Sequence, residues 1–215
     1  MKTSSQLLTV AALALGALFV IDTPRARDVE ATTADGRTVS LSDDGTWQFK
    51  ESAALDAAPG AVITRPKTAT KAIKSKKGFF ELWYNPKKWT TKEGAEGTPT
   101  EFVVIRKDGD AYAMAIVERI GVPMQQLSAI ALNNARSQAP DAKIVLEEER
   151  TVNGKKVVAL QIEGTIQGIA FKYYGYYWSG KSGTVQFLTY TAQNLFEDAL
   201  PDFTELLSGF VITQG

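Results

Sequence analysis

The chain has 215 residues, with 24 lysines and arginines against 24 aspartates and glutamates, and it contains neither histidine nor cysteine. Ser-His-Asp and Cys-His nucleophiles, zinc held by imidazole or thiolate, iron–sulfur clusters and disulfides are therefore excluded, and the sequence predicts neither a metal nor a cofactor. The balanced charge also argues against a nucleic-acid-binding protein.

Residues 1–26 are typical of a secretory signal peptide. Lys2 is followed by an apolar run of 15 residues at 7–21, whereas a bilayer-spanning helix usually needs about 20. A cut after Ala26 would place Pro24 at the minus-three position, which makes a poor cleavage site. We expect an exported protein, periplasmic or extracellular, that is membrane-anchored through this segment if the segment is retained.

Residues 27–50 have the pattern of a small β-meander. Two Asp-Gly pairs, at 35–36 and 44–45, indicate tight turns because glycine adopts positive φ freely. Four apolar residues alternate with polar ones and would share one face: Val39, Leu41, Trp47 and Phe49. The pattern DGRxVxLxxDGTWxF resembles a short module near the start of many exported bacterial proteins, and no chemistry transfers with it.

Residues 51–77 change in composition to alanine, threonine, proline and lysine, which predicts a linker. Five lysines accumulate toward its end: Lys67, Lys71, Lys74, Lys76 and Lys77. A patch for anionic lipid or polymer is one interpretation of these lysines. A solvated tether explains them without a partner and is the interpretation we favour.

The main domain is predicted to begin at Gly78 and to run to residue 215. Period-two alternation and turn signals predict strands at 79–84, 101–106, 111–119, 143–152, 156–164, 166–178 and 183–191. Helical spacing predicts helices at 123–139 and 195–207, the second capped by Asn194. This order of elements predicts the α+β class, with an antiparallel sheet covered by helices.

Several motifs of this domain resemble the PsbP and DcrB-like fold family over residues 78–213. They are GFFELWYNPKKW, TVNGKKVVALQIEG before a long aromatic strand, and a closing FxxxLPDFTELLSGFVI. The resemblance implies an α/β/α sandwich, a fold used by non-enzymatic accessory, assembly and chaperone-like proteins that are often exported. It carries over no catalytic motif, and this chain lacks the cysteine by which some envelope lipoproteins are anchored.

The aromatic run FKYYGYYW at 171–178 is the most informative stretch of the domain. Alternation places Tyr174, Tyr176 and Trp178 on one face of a strand, and Tyr173 and Tyr177 on the other. Left exposed, the first three side chains would form an apolar patch of roughly 600 Å², which is at the upper limit for a soluble monomer. A covering helix would make them core residues. Otherwise they line a groove for an apolar peptide, lipid tail or sugar, and they are the candidate ligand-binding residues.

One carboxylate pair could act without histidine. Glu147 and Glu149 share a face of a predicted strand, about 6 to 7 Å apart at their Cα atoms, a separation that could suit a glycosidase. The pair lies in a charged run before a hairpin, and cross-strand pairing with Lys155 and Lys156 is the simpler interpretation.

These observations predict an exported, non-enzymatic binding, accessory or chaperone-like protein of the cell envelope. Its partner would be an envelope protein, a lipid or a glycan. Two alternatives stay open: a carboxylate-dependent glycan hydrolase, and a structural envelope protein whose N-terminal meander packs on a partner.

Overall fold

The computed structural model describes residues 62–214 and, before them, the backbone of three strands: β1 (Val29–Thr32), β2 (Thr38–Leu41) and β3 (Trp47–Phe49). These three strands form an antiparallel sheet in the order β1-β2-β3. The signal peptide predicted at 1–26, and residues 51–61 of the linker predicted at 51–77, lie outside the described residues.

Eleven strands and two α-helices follow. The strands are β4 (Val62–Ile63), β5 (Lys71–Lys74), β6 (Phe80–Tyr84), β7 (Trp89–Glu93), β8 (Thr100–Arg106), β9 (Tyr112–Glu118), β10 (Lys143–Val152), β11 (Lys155–Ile166), β12 (Ile169–Gly180), β13 (Gly183–Ala192) and β14 (Phe210–Ile212). The helices are α1 (Leu127–Gln138) and α2 (Phe196–Leu207), each preceded by one 3-10 turn.

Eight strands form the main sheet, in the order β4-β10-β11-β12-β13-β9-β8-β7. All neighbours are antiparallel except β4 and β10. Asn153 and Gly154 both have positive φ, at 46° and 79°, as the tight turn between β10 and β11 requires. The Asn153 side chain donates hydrogen bonds to the carbonyls of Ser208 and Phe210, so this turn also holds the end of the chain.

Two layers cover opposite faces of the main sheet. On one face lie α2 and a small sheet, β14-β6-β5, and the larger core cluster forms between them and the main sheet. On the other face α1 packs over β10, β11 and β12, with Leu127 and Ala131 buried against the sheet. The predicted α+β sandwich is confirmed.

Two strands lie within the stretch 51–77 that the composition predicts to be a linker. β5 pairs with β6, and β4 pairs with β10, so the domain begins before Gly78. β5 was not predicted because its lysines suggested a solvated segment. Lys71 and Lys74 are exposed, while Ala72 and Ile73 between them are half-buried. Lys74 and Lys76 form exposed ion pairs with Glu81 and Glu93, at 3.3 and 3.0 Å.

The helices differ in detail from the prediction. The chain from Met124 to Gln126 forms the 3-10 turn, so α1 is shorter than the predicted 123–139. Asn194 also lies in a 3-10 turn, and its side chain does not cap α2. Within residues 62–214, no helix is both long and apolar enough to cross a bilayer.

Candidate functional site

The aromatic strand β12 presents its side chains to both covering layers. Tyr174, Tyr176 and Trp178 face α2 and the small sheet, with relative exposures of 0%, 0% and 6%. Tyr176 contacts Phe210 edge-on at 6.2 Å between ring centroids, and Trp178 lies 6.1 Å from Phe79. The structure thus places the three candidate ligand-binding residues within the core. A ligand-binding role for them stays a prediction.

The two tyrosine hydroxyls on this face lie next to a buried arginine. Burial is the largest cause that raises the pKa of Tyr174 and Tyr176, so both remain neutral phenols. Arg150 is 8% exposed and pairs with Glu148. The two hydroxyls and Arg150 lie close enough to shift one another's pKa, but neither hydroxyl nor Arg150 Nη1 makes a hydrogen bond of good geometry to another described residue.

The opposite face of β12 lines an open groove. Because α1 covers only β10 to β12, a cleft of about 580 Å³ lies between this helix and the exposed face of β13, β9 and β8. We call it the α1 groove. The residues lining it are Pro99, Thr100, Met114, Ile116, Glu118, Ile130, Ala131, Asn134, Ala135, Ser137, Gln138, Ile162, Tyr173, Tyr177, Gln186 and Leu188.

The sheet register explains why these side chains come together. Tyr177, Gln186 and Ile116 are neighbours across β12, β13 and β9, so they form one row on the floor. Leu188 and Met114 are paired in the next row. Gln186 is only 4% exposed, which places a carboxamide among apolar side chains at the base of the groove.

Tyr173, which lines the α1 groove, belongs to a row of three tyrosines on this face of the sheet. Tyr173, Tyr190 and Tyr112 are cross-strand partners, with 5.5 Å between the rings in each neighbouring pair. Burial raises the pKa of Tyr173 and of Tyr190, so these two side chains remain neutral phenols at neutral pH. Tyr173 therefore adds an aromatic ring with a neutral hydroxyl group to the lining of the α1 groove.

The turn between β12 and β13 fixes the position of α1. The Ser179 hydroxyl accepts a hydrogen bond from the backbone N–H of Val122 at 2.9 Å, and the Thr184 hydroxyl donates one to the carbonyl of Ile120 at 2.6 Å. Both contacts hold the chain as it enters α1. These two hydrogen bonds, together with the apolar packing of Leu127, position α1 and therefore set the width of the groove.

The glutamates considered for hydrolysis lie apart from the groove. Glu147 and Glu149 are exposed; Glu147 accepts a hydrogen bond from Ser128 at 2.5 Å, and Glu149 pairs with Lys156 at 2.7 Å. The predicted pairing with Lys156 is confirmed. Over residues 62–214, no three acidic side chains come together in a way that could hold a metal ion.

Sequence reasoning selected one aromatic face, and the open groove lies on the other. The same alternation had placed Tyr173 and Tyr177 on that second face, but it could not show that α1 covers only three of eight strands. Met114, Ile116, Leu188 and Gln186 were missed because each reads as an ordinary inward-facing strand residue.

Comparison of the fold with solved structures identifies its class. The structure matches the solution structure of cyanobacterial PsbP (CyanoP) from Synechocystis sp. PCC 6803 with a TM-score of 0.52 and 13% sequence identity, covering 74% of this chain and 98% of that one. The domain therefore has a PsbP-like fold, as the sequence motifs predicted. At this level of identity the likeness concerns the fold alone.

Two further structures show weaker similarity. LpqN of Mycobacterium tuberculosis, described as involved in cell envelope biogenesis, gives a TM-score of 0.46 at 13% identity and covers 63% of this chain and 83% of its own. PA94 of Pseudomonas aeruginosa, a protein of unknown function described as a putative regulator, gives 0.44 at 11% identity, with coverage of 67% and 98%. No protein-family profile and no curated protein matches the sequence.

Proposed function

We propose that this protein is an exported, non-enzymatic accessory protein of the cell envelope that binds an apolar, extended segment of another envelope protein in the α1 groove. The observation that supports this most strongly is the groove itself. Its volume of about 580 Å³ lies within the range of about 300 to 1,000 Å³ that is usual for ligand sites, and most of its lining is apolar. The signal-like residues 1–26 support export.

The polar residues of the groove favour a peptide over an acyl chain. Asn134 and Gln138 are one turn apart on α1 and exposed, and Gln186 lies on the floor. Each carboxamide can both donate and accept a hydrogen bond. An extended peptide offers an N–H and a C=O at every residue, whereas an acyl chain has no group to pair with these amides.

A non-catalytic role agrees with the composition of the groove. Its only carboxylate among the lining residues is that of Glu118, which is exposed at the rim, and the lining contains no lysine. General acid–base catalysis by a carboxylate pair needs two such groups facing one substrate. The site is better suited to holding a ligand than to transforming it.

The test uses two matched isoleucine substitutions in the full mature chain. Ile116 lines the groove, while Ile169 is 64% exposed at the start of β12 and lies outside it. A fluorescent peptide that alternates leucine and serine is titrated against wild type, Ile116→Glu and Ile169→Glu, and binding is followed by anisotropy. Burying a glutamate against the peptide should weaken the Ile116→Glu complex at least about tenfold, because an unpaired buried charge is costly.

Three results would overturn the proposal. The first is equal binding of the peptide by the two variants. The second is saturable binding of a fatty acid or a glycan oligomer, but not the peptide, at the groove. The third is turnover of a glycan that Glu147→Gln or Glu149→Gln abolishes, which would establish the hydrolase alternative instead.

A further inference from the structure

Beside the α1 groove lies an apolar strip of the main sheet that no layer formed by residues 62–214 covers. It consists of the α1-side face of β13, β9 and β8, and its half-buried or nearly buried members are Leu188, Met114, Val103, Tyr190, Tyr112 and Ile105. Across residues 62–214, no helix packs on this face other than α1, which lies over β10 to β12. A second layer about as wide as one helix would complete the sandwich.

The N-terminal sheet of the same chain, β1 to β3, has apolar positions on one face and needs a surface to pack on. Its backbone register pairs Val39 with Phe49 and Leu41 with Trp47, and it also pairs Val29 with Leu41. Directly paired positions lie on one face of an antiparallel sheet, so five apolar positions share a face. A sheet with strands of four, four and three residues is at best marginally stable unless it packs on something else.

The length of the connecting chain allows these two faces to meet. Twelve residues, 50–61, separate β3 from β4, and they can span up to about 40 Å. β4 lies four strand spacings from β13 in the main sheet, which is about 19 Å. The difference leaves enough chain to pass over α1, which adds about 10 Å of height.

We infer that the N-terminal sheet packs through its apolar face on the uncovered strip of its own chain. A tether of this length makes the encounter intramolecular, with an effective concentration in the millimolar range. The strip and the α1 groove share Leu188 and Met114, so a groove ligand must displace the N-terminal sheet. This competition rests on the proposed function, whereas the packing itself does not.

Cysteine crosslinking tests the packing directly, because the chain contains no native cysteine. The test variant combines Thr46→Cys, next to Trp47, with Gln138→Cys on the groove rim. The control variant combines Thr46→Cys with Glu197→Cys. Glu197 is exposed on α2, at the opposite face of the main sheet. With a short bismaleimide at low protein concentration, the Thr46/Gln138 pair should crosslink within one chain about tenfold faster than the Thr46/Glu197 pair.

A substitution on the N-terminal sheet provides the second arm. Trp47→Ser should lower the Thr46/Gln138 crosslinking rate to that of the control pair, while Trp47→Phe should preserve it. The same Trp47→Ser change should tighten apparent binding of the leucine–serine peptide severalfold, because the competing intramolecular state is removed.

The crosslinking and the peptide titration together test the packing and the proposed function separately. Equal rates for the two cysteine pairs, or no effect of Trp47→Ser on them, would refute packing on the same chain. Crosslinked dimers that form in place of the intramolecular product would assign the strip to a second copy and refute it equally. If the peptide fails to bind but the crosslinks form as expected, the proposed function fails and the packing stands.

Discussion

Gly175 and Leu188 stand opposite each other on β12 and β13, so close that a Cβ atom on residue 175 would lie 2.9 Å from the Cβ of Leu188. The carbonyl oxygen of Phe187 would be 2.8 Å from the same atom. Only glycine therefore allows β13 to approach β12 at this point of the groove floor. The relationship explains why a glycine interrupts an otherwise aromatic strand.

Gly175→Ala should destabilise the protein by about 1 to 3 kcal/mol, because a backbone oxygen cannot move aside as a flexible side chain can. Urea unfolding followed by circular dichroism measures the change. Gly97→Ala is the comparison: a Cβ there meets nothing within 4 Å, and its φ of 78° should cost only about 1 kcal/mol. A smaller loss for Gly175→Ala than for Gly97→Ala would contradict the packing described for β12 and β13.

The buried hydroxyl of Tyr176 should be dispensable for stability. It makes no hydrogen bond of good geometry to another described residue, so Tyr176→Phe removes a desolvated polar group and should leave the unfolding free energy unchanged or raise it by up to about 1 kcal/mol. Tyr176→Ala should cost about 3 to 5 kcal/mol through the cavity it leaves. Thermal unfolding of both variants distinguishes these effects.

The same variant tests the predicted ligand-binding role of Tyr174, Tyr176 and Trp178. Since these residues face α2 and the α1 groove lies on the other side of the sheet, we expect Tyr176→Phe to bind the leucine–serine peptide as wild type does. If the folded Tyr176→Phe variant lost peptide binding, the ligand site would have to lie on the α2-facing side of β12.

The fold was largely predictable from local signals. Asn153-Gly154 set the turn between β10 and β11, and period-two alternation divided the side chains of β12 between two faces as the structure shows. Such signals depend on neighbouring residues only. For this reason β6 and the strands from β8 to β13 were predicted within a few residues of their observed ends, whereas β7, which pairs with β8, was not predicted.

The site was less predictable, because it depends on distant parts of the chain. Whether Tyr174 or Tyr173 lines a groove depends on how many strands α1 covers. The sequence of β12 contains no information about that coverage. β5 was missed for a related reason, since Lys71 to Lys74 form a strand by pairing with β6 and not through their own composition. The coverage by α1 and the pairing of β5 with β6 are both tertiary contacts, and the periodicity of the sequence does not predict such contacts.

Glu148 should matter more to stability than its exposed neighbour. It is 33% exposed at the side chain and pairs with Arg150, whose side chain is 7% exposed. Glu148→Gln would leave a buried guanidinium without its anion and should cost about 1 to 3 kcal/mol, less than a fully buried pair because water reaches Glu148. Unfolding in urea at neutral pH gives the value.

Glu149→Gln is the matched control for this pair. Its salt bridge with Lys156 has side chains that are 62% and 72% exposed, so its loss should change stability by no more than about 0.5 kcal/mol. The double variant Glu148→Gln/Arg150→Met should recover part of the loss. Equal effects of Glu148→Gln and Glu149→Gln would show that Arg150 does not depend on its partner.

An ionic network between α2 and the start of β7 should make stability depend on pH. Lys88 donates to Asp202 at 2.7 Å and to Glu205 at 2.6 Å, and Glu205 also accepts bonds from Thr68 and Asn85. Burial alone would raise the pKa of Glu205, but the bonds from Lys88, Thr68 and Asn85 outweigh it and hold that pKa below its ordinary value. The hydrogen bonds to Asp202 and Glu205 raise the pKa of Lys88.

The signs of these two shifts define where the network stabilises the fold. A lowered carboxyl pKa contributes stability above the ordinary value near pH 4.5, and that stability is lost as the pH falls through the folded-state pKa. A raised lysine pKa contributes below pH 10.5 and is lost as the pH rises through the folded-state value. Between these limits the contribution is constant.

Glu205→Gln should therefore destabilise the protein at pH 7 but much less at acid pH. We expect a loss of about 1 to 2 kcal/mol at neutral pH, reduced from that of a buried charged hydrogen bond because Lys88 is partly exposed. Urea unfolding of wild type and Glu205→Gln at pH 7 and pH 3 should show the two curves converging as Glu205 is protonated. Glu197→Gln, at an exposed position on the same helix, should track wild type at both pH values. A difference between wild type and Glu205→Gln that is independent of pH would mean that Glu205 acts through its shape and not through its charge.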